Sequence, residues 1–248
     1  MKALILAAGL GTRLLPLTAG IPKALVSING ITLLEITIRK LAREGFSNII
    51  VNVHHHSAQV MEFLKRNQFH GTNISVSDES GQLLDTGGAI FKARWFLDGK
   101  DPFLVHNVDI ISDISLQSVL AEHMAKGGLA TLSVSHRQTK RYFLFEDILR
   151  LRGWTDTSSG EIKWAGNPIK QPQQLAFNGI HIINPEIFSL IDEEGRFSII
   201  DTYLKLAGEH PIFGHVQSGK TWFDLGKPDQ LEIVASFLKD HPEYIEDL

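Results

Sequence analysis

Residues 1–26 read "MKALILAAGLGTRLLPLTAGIPKALV", an apolar run that falls straight into glycines, an arginine, two prolines and a lysine. Ala3 to Ala7 has the length and character of a buried strand that begins a parallel sheet. Gly9 and Gly11 permit backbone angles closed to other residues, and they let a ligand approach the main chain closely. A glycine-rich turn after a strand points to phosphate held by backbone N–H groups, here those of Gly9, Leu10, Gly11 and Thr12. Arg13, Pro16, Pro22 and Lys23 must then discriminate between kinds of phosphate site.

Two familiar loops fit poorly. A dinucleotide fingerprint needs a third glycine where this chain has Leu14, and Pro16 interrupts the helix that should follow. "GHVQSGKT" at 214–221 satisfies the pattern of a P-loop in full. That loop should open a helix, whereas Thr221 is followed by "WFDLG" and then Pro228, where a helix can start. A hairpin turn between "PIFGHV" and "TWFDLG" suits the local residues better. A P-loop kinase would require a helix beginning at Thr221.

Outward from the first strand, apolar runs at 49–53, 74–77, 102–106 and 130–135 read as further strands. Helical patterns lie between them at 32–44, 57–68, 87–97 and 115–126; Leu34, Ile38 and Leu41 make the stripe of the first. Repeated strand–helix units imply an α/β, doubly wound, mostly parallel Rossmann-like sheet, with ligands at the C-terminal ends of its strands. From about 140 the pattern loosens. "RYFLF" and "AFNGIHII" suggest added strands, and helices are expected at 198–207 and 228–239. The economical reading is one domain over 1–248. Residues 1–135 form its phosphate-binding core, and 136–248 carry a small inserted substrate lobe.

Lys and Arg total 24 against 28 Asp and Glu, a net charge of −4 without a basic block, so nucleic acid is not an expected partner. There is no cysteine, which excludes disulfides, thiolate zinc sites and cysteine nucleophiles together. No segment approaches a membrane span, and the N-terminal apolar run is too short for a signal peptide and is broken by glycines and Arg13. The expectation is a cytoplasmic protein without a membrane partner. The sequence leaves its oligomeric state open.

"LAAGLGTRLLPLT" with "PK" (6–23) resembles the signature of the sugar-1-phosphate nucleotidyltransferases, and "DTGG" (85–88), "NVD" (107–109), "FNGI" (177–180) and "WFDLG" (222–226) follow in that family's order. The first motif is specific; the others carry weight through their order. The likeness is nearest to the branches that uridylylate muramic-type 1-phosphates and guanylylate mannose 1-phosphate. The left-handed β-helix of the family's longer members is not expected within residues 1–248, which carry no hexapeptide repeats.

The resemblance implies a nucleoside triphosphate and a sugar 1-phosphate as substrates, Mg²⁺ as cofactor, and a nucleotide sugar with pyrophosphate as products. UTP with an amino-sugar or muramic-type 1-phosphate is the leading pair. GTP with mannose 1-phosphate, cytidylyl transfer and a non-catalytic nucleotide-binding regulator are the alternatives. By resemblance, Leu6, Ala7, Ala8, Gly9, Gly11 and Thr12 hold the nucleotide. Arg13 would stabilise departing pyrophosphate in a forked geometry, and Lys23 would touch the α-phosphate and the incoming sugar phosphate. Glu79 or Gln82 would read the base, with Gly87 and Gly88 packed against base or ribose. The same segment also reads as a loop before a helix capped at Asp85 or Thr86. Asn107, Asn178 and Gly179 fall on the acceptor side, where the proline of the thymidylyltransferases' Glu-Lys-Pro is missing from "GEIKW". Asp109 and Asp224, 115 residues apart, would share the metal. Asp113 reads as a loop or cap residue.

Two further clusters have competing readings. Arg137, Lys140 and Arg141 are either a solvated basic turn or the partner of a carboxylate on the acceptor, with Arg141 as the leading candidate. His54, His55 and His56 stand at a strand end, where neighbouring side chains point to opposite faces and cannot all converge on one ion. A solvated loop start with one histidine near the site is the better account.

Overall fold

The computed structural model describes residues 1–226 and 230–242. In chain order the strands begin with β1 (Lys2–Leu6), β2 (Ser27–Ile28), β3 (Ile31–Thr32), β4 (Asn48–Val53), β5 (Asn73–Asp78) and β6 (Phe103–Asn107). They continue with β7 (Ile110–Ser112), β8 (Ala130–Ser135), β9 (Arg141–Phe145), β10 (Leu151–Asp156) and β11 (Glu161–Trp164). The last three are β12 (Gln173–Ile183), β13 (Ile212–Val216) and β14 (Trp222–Asp224). The helices are α1 (Leu33–Arg43), α2 (Ser57–Arg66), α3 (Asp85–Lys92) and α4 (Arg94–Leu97), then α5 (Leu116–Lys126), α6 (Ile187–Leu190), α7 (Ile199–Leu206) and α8 (Gln230–Asp240).

Among the described residues, ten strands form one sheet in the order β11-β10-β9-β12-β6-β1-β4-β5, with β8 and β13 continuing from β12. β6, β1, β4 and β5 are parallel, and β12 runs antiparallel to β6, β8 and β9. The sheet is therefore continuous across residue 135.

Strand residues alternate between two cores. Ala3 and Ile5, Ile49 and Val51, and Leu104 face one; Leu4, Ile50, Phe103 and Val105 face the other. Leu34, Ile38 and Leu41 of α1, with Val234 and Leu238 of α8, cover the first face. Ile90 of α3 and Ile199 and Tyr203 of α7 cover the second. This is the doubly wound arrangement, and each fully buried Leu or Ile contributes about 1.5–3 kcal/mol relative to exposure. Thr32 starts α1 by accepting a hydrogen bond from Glu35 N at 3.2 Å.

Most expected elements are present with ends shifted by a residue or two. The 130–135 strand is β8, while β1 runs from Lys2 to Leu6 rather than from Ala3 to Ala7. The helix expected over 87–97 is two, because the chain leaves helical geometry at Ala93, where ψ is 4°. The helix expected at 228–239 is α8, and Pro228 lies outside the described residues. One expectation is corrected. β13 and β14 are not a hairpin: β13 joins β8 in the large sheet, whereas β14 pairs with β7. The P-loop alternative fails as well, since Thr221 leads into strand Trp222–Asp224 rather than a helix.

Candidate active site

The strand register places Leu6 of β1 beside Asn52 of β4 and Asn107 of β6, a row at the C-terminal ends of three parallel strands. All three line a cavity of about 300 Å³, as do Ala8, Gly9, Lys23, Glu79 and Asp109. Open parallel sheets bind ligands at such strand ends, where no further strand residue fills the space. The wall also holds Leu83, Asp85, Thr86, Val108 and Arg196, which the sequence did not single out as site residues.

The charged floor comes from distant segments. Lys23 follows Pro22 into a short 3₁₀ turn (Lys23–Leu25), and its Nζ donates to Asp109 Oδ2. Asp224 reaches the same region through β14, which pairs with β7 so that Asp224 faces Ile110. Leu225 N donates to Asp109 O at 2.8 Å. The two aspartates expected to share a metal thus sit on adjoining segments. Arg13 Nη1 lies 3.9 Å from Asp224 Oδ2, and Gly226 N donates to Asp224 Oδ1 at 2.8 Å. Asp113 pins the start of β14, its Oδ1 accepting from Thr221 N at 2.8 Å.

The glycine loop is held from below by Asn52. Its Oδ1 accepts from Ala7 N at 2.6 Å and Ala8 N at 3.3 Å, so these two amides are engaged by the protein. Its Nδ2 donates to Glu79 Oε1 at 2.8 Å, and Leu84 N donates to Glu79 Oε2 at 3.2 Å. Burial pushes the Glu79 carboxyl above the usual carboxylate range, while the Asn52 and Leu84 hydrogen bonds pull it back. His54 Nδ1 bonds to Glu79 O at 2.7 Å, so one histidine of the triple run adjoins the site. Gln82 is exposed. Gly11, Thr12 and Arg13 stand outside the cavity lining, Gly11 with φ 65° and the Arg13 side chain 62% exposed.

Gly87 and Gly88 have a packing reason to be glycine. A Cβ on Gly87 would meet the Phe197 ring at 2.4 Å, and one on Gly88 would meet Gly195 O at 2.2 Å. Gly87 N donates to Phe197 O at 2.9 Å, and Thr86 Oγ1 accepts from Ile199 N at 3.0 Å. These contacts fasten the start of α3 to the segment that carries Arg196. Neither Asp85 nor Thr86 caps α3 through its side chain; Asp85 instead adopts φ 60° on the cavity wall.

The acceptor-side residues divide. Gly179, at φ 76°, lets β12 press against Asn107, because an added Cβ would come within 2.9 Å of Asn107 Nδ2. Asn178 is fully buried; its side chain bonds to Ser133 Oγ (3.2 Å) and Ser135 Oγ (2.8 Å), and its carbonyl accepts from Trp222 Nε1 at 2.9 Å. Arg141 points elsewhere, exposed and paired with Asp156 at 3.1 Å. Arg137, by contrast, stacks 3.9 Å over the Trp222 ring.

Asn52 carried a legible signal, a polar residue inside the apolar strand "IIVNV". Arg196 carried none, since only the tertiary tie between 84–88 and 195–199 brings it to the wall.

Comparison with known proteins agrees with this architecture. The nucleotidyl transferase family profile matches residues 2–241. An N-acetylmuramate α-1-phosphate uridylyltransferase of Caulobacter vibrioides is 32% identical over 247 residues, covering 94% of each chain. A mannose-1-phosphate guanyltransferase of Candida glabrata is 28% identical, covering 98% of this chain and 67% of its own. The chain spans 62% of a mannose-1-phosphate guanylyltransferase of Oryza sativa, at 29% identity. Among solved structures, HddC from Yersinia pseudotuberculosis complexed with GMP-PN aligns with TM-score 0.76 at 19% identity, covering 96% of this chain and 99% of that one. A UTP-bound UGPase from Acinetobacter baumannii aligns with TM-score 0.79 at 17% identity, covering 97% and 94%. The structural likenesses establish the fold, and the sequence matches establish the kinship: the chain belongs to the nucleotidyl transferase family, among the sugar-1-phosphate nucleotidyltransferases.

Proposed function

We propose that this protein transfers the nucleotidyl group of a nucleoside triphosphate to a sugar 1-phosphate and releases pyrophosphate. The observation that carries the reading is the meeting of Ala8 and Gly9, at the start of the glycine loop, with Lys23 and Asp109 in one strand-end cavity, with Asp224 on the adjoining strand.

In that reaction a phosphate oxygen of the sugar attacks the α-phosphorus. The bond from this phosphorus to the oxygen bridging the β-phosphate breaks, and pyrophosphate leaves with the electron pair. Two anions must be brought together in line, so fixed cations and positioning do more than a nucleophile could. Lys23, held by Asp109, offsets charge where the α-phosphate and the incoming phosphate meet. The amides of Gly9 to Thr12 hold phosphate oxygens, and Arg13 receives the charge that moves onto pyrophosphate. Glu79, with both carboxylate oxygens bonded within the protein, keeps the cavity floor in shape.

Two carboxylates on adjoining segments suit Mg²⁺, which takes few protein ligands and fills its octahedron with water and phosphate oxygens. Asp109 and Asp224 would hold the ion, and it would supply charge neutralisation between the triphosphate and the acceptor phosphate. Within this scheme residues 1–135 serve the nucleotide, and 136–248 serve the acceptor and provide Asp224. A reaction between two highly charged phosphorylated substrates suits the cytoplasm.

UTP with a muramic-type or amino-sugar 1-phosphate is the leading pair, supported by the full-length likeness to the Caulobacter uridylyltransferase. GTP with mannose 1-phosphate is second, supported by the guanylyltransferase matches. Pyrophosphate release screened over four triphosphates and a panel of sugar 1-phosphates separates them. The expected result is one triphosphate and one sugar class far above the rest, with the nucleotide sugar found by mass spectrometry. Binding of nucleotide without turnover on any acceptor would make the protein a regulator instead.

A further inference from the structure

A second cavity, of about 390 Å³, lies between the end of β8 and the 217–220 loop. Three of its lining residues are His136, Arg137 and Lys220, and no carboxylate is among the lining residues, although the chain is acidic overall. Lys220 belongs to the stretch that imitates a P-loop, so that motif finds its place here as a cavity wall. The basic cluster expected at 137–141 is split: Arg141 pairs with Asp156, while Arg137 is joined instead by Lys220, 83 positions later.

Arg137 is held in position. Its Nη2 donates to Phe177 O at 2.6 Å, and its guanidinium lies 3.9 Å over the Trp222 ring. Its Nε and the Nε2 of Gln217, another lining residue, are buried without a hydrogen-bond partner among the described residues. Buried donors of this kind call for an acceptor. The pocket also adjoins the proposed reaction centre. Trp222 and Asp224 are two residues apart on β14 and so share a face, and the Asp224 charge acts on Arg137.

We propose that this pocket is an acceptor subsite for a carboxylate, in which Arg137, Lys220 and Gln217 bind an anionic substituent of the sugar 1-phosphate. The inference rests on the nucleotidyl transfer reading and adds a feature of the acceptor. The attacking phosphate must stand beside Lys23 and Asp109 in the first cavity. The two cavities have no lining residue in common, so the anion taken here is a different group. A forked guanidinium stacked on an indole suits a planar carboxylate, and a second cation offsets the cost of withdrawing it from water.

The test compares N-acetylmuramate 1-phosphate with N-acetylglucosamine 1-phosphate, which differ by the carboxylate-bearing lactyl ether. Calorimetric affinity and kcat/KM are measured for the wild type, Arg137→Gln, Lys220→Ala and Lys220→Arg, each checked for folding by circular dichroism. The wild type is expected to prefer the carboxylated acceptor at least about tenfold, in the range that loss of one charged hydrogen bond produces. That preference should fall by a similar factor in Arg137→Gln and Lys220→Ala and be retained in Lys220→Arg. Equal affinity of the wild type for both sugars overturns the subsite while leaving nucleotidyl transfer intact. Equal losses on both sugars in the variants overturn it too. If no pair of substrates gives product, the transfer reading fails, and the calorimetric preference alone decides the subsite.

Discussion

Lys23 and Asp109, 86 positions apart in the chain, form a charge pair on the floor of the strand-end cavity, with side chains only 9% and 16% exposed. The two groups come from separate segments of the chain. Pro22 and the short turn after it deliver the lysine, and the end of β6 delivers the aspartate.

The pair can be tested as a pair. Lys23→Met and Asp109→Asn should each lower turnover by about 10²-fold or more, the effect of removing one preorganised charge from an active site. A purely structural pair would let the double variant recover, because no charge is left without its partner. The expectation is that the double variant regains thermal stability without regaining turnover, read by melting curves alongside steady-state kinetics.

Arg13 differs in being exposed, so its loss should spare the fold. Arg13→Ala should lower kcat by about 10²-fold with a smaller change in KM, as expected for a contact that strengthens as pyrophosphate departs. Near-normal kcat in the folded variant would remove Arg13 from that role.

Asp224→Asn should nearly abolish turnover and weaken the response to Mg²⁺ with the secondary structure unchanged. A reading that does not depend on turnover is Mn²⁺ binding followed by electron paramagnetic resonance. Affinity in the presence of triphosphate should drop at least about tenfold, since a neutral amide is a poor ligand for a hard cation.

Acid should destabilise the protein through two buried histidines. Burial holds His106 and His181 down to about 3, far below their ordinary 6.5. The unfolded chain takes up protons at these sites as pH falls below about 6.5, and the folded chain does not. Their contribution to stability is therefore full above that value and shrinks progressively as pH drops towards 3. Glu79, raised by burial, works in the opposite sense, since protonation relieves a buried charge. Melting temperature against pH should fall less steeply between these limits in His181→Asn than in the wild type.

How far the sequence reveals all this depends on the kind of information each feature needs. "ALILA", "IIVNV" and "PFLVH" announce buried strands because a parallel sheet covered on both faces demands largely apolar runs. Resemblance singles out Lys23, Asp109 and Asp224, but the approach of Asp224 to the Asp109 segment depends on β14 crossing to β7, a pairing no local pattern encodes. The misread hairpin has the same origin. Two strand-like segments joined by a short glycine-bearing loop look alike in sequence whether they pair together or with separate partners. Gly87 and Gly88 show the complementary difficulty, for the packing that excludes a Cβ there comes from Phe197 and Gly195.

Nucleotidyl transfer requires that the α-phosphorus be the atom attacked. Triphosphate labelled at the α-phosphorus, and in parallel at the γ-phosphorus, is incubated with enzyme, Mg²⁺ and the acceptor found by screening. Attack at that atom puts α-label in the nucleotide sugar and γ-label in pyrophosphate. Appearance of γ-label on the sugar, or α-label only in free nucleoside mono- or diphosphate, would contradict it.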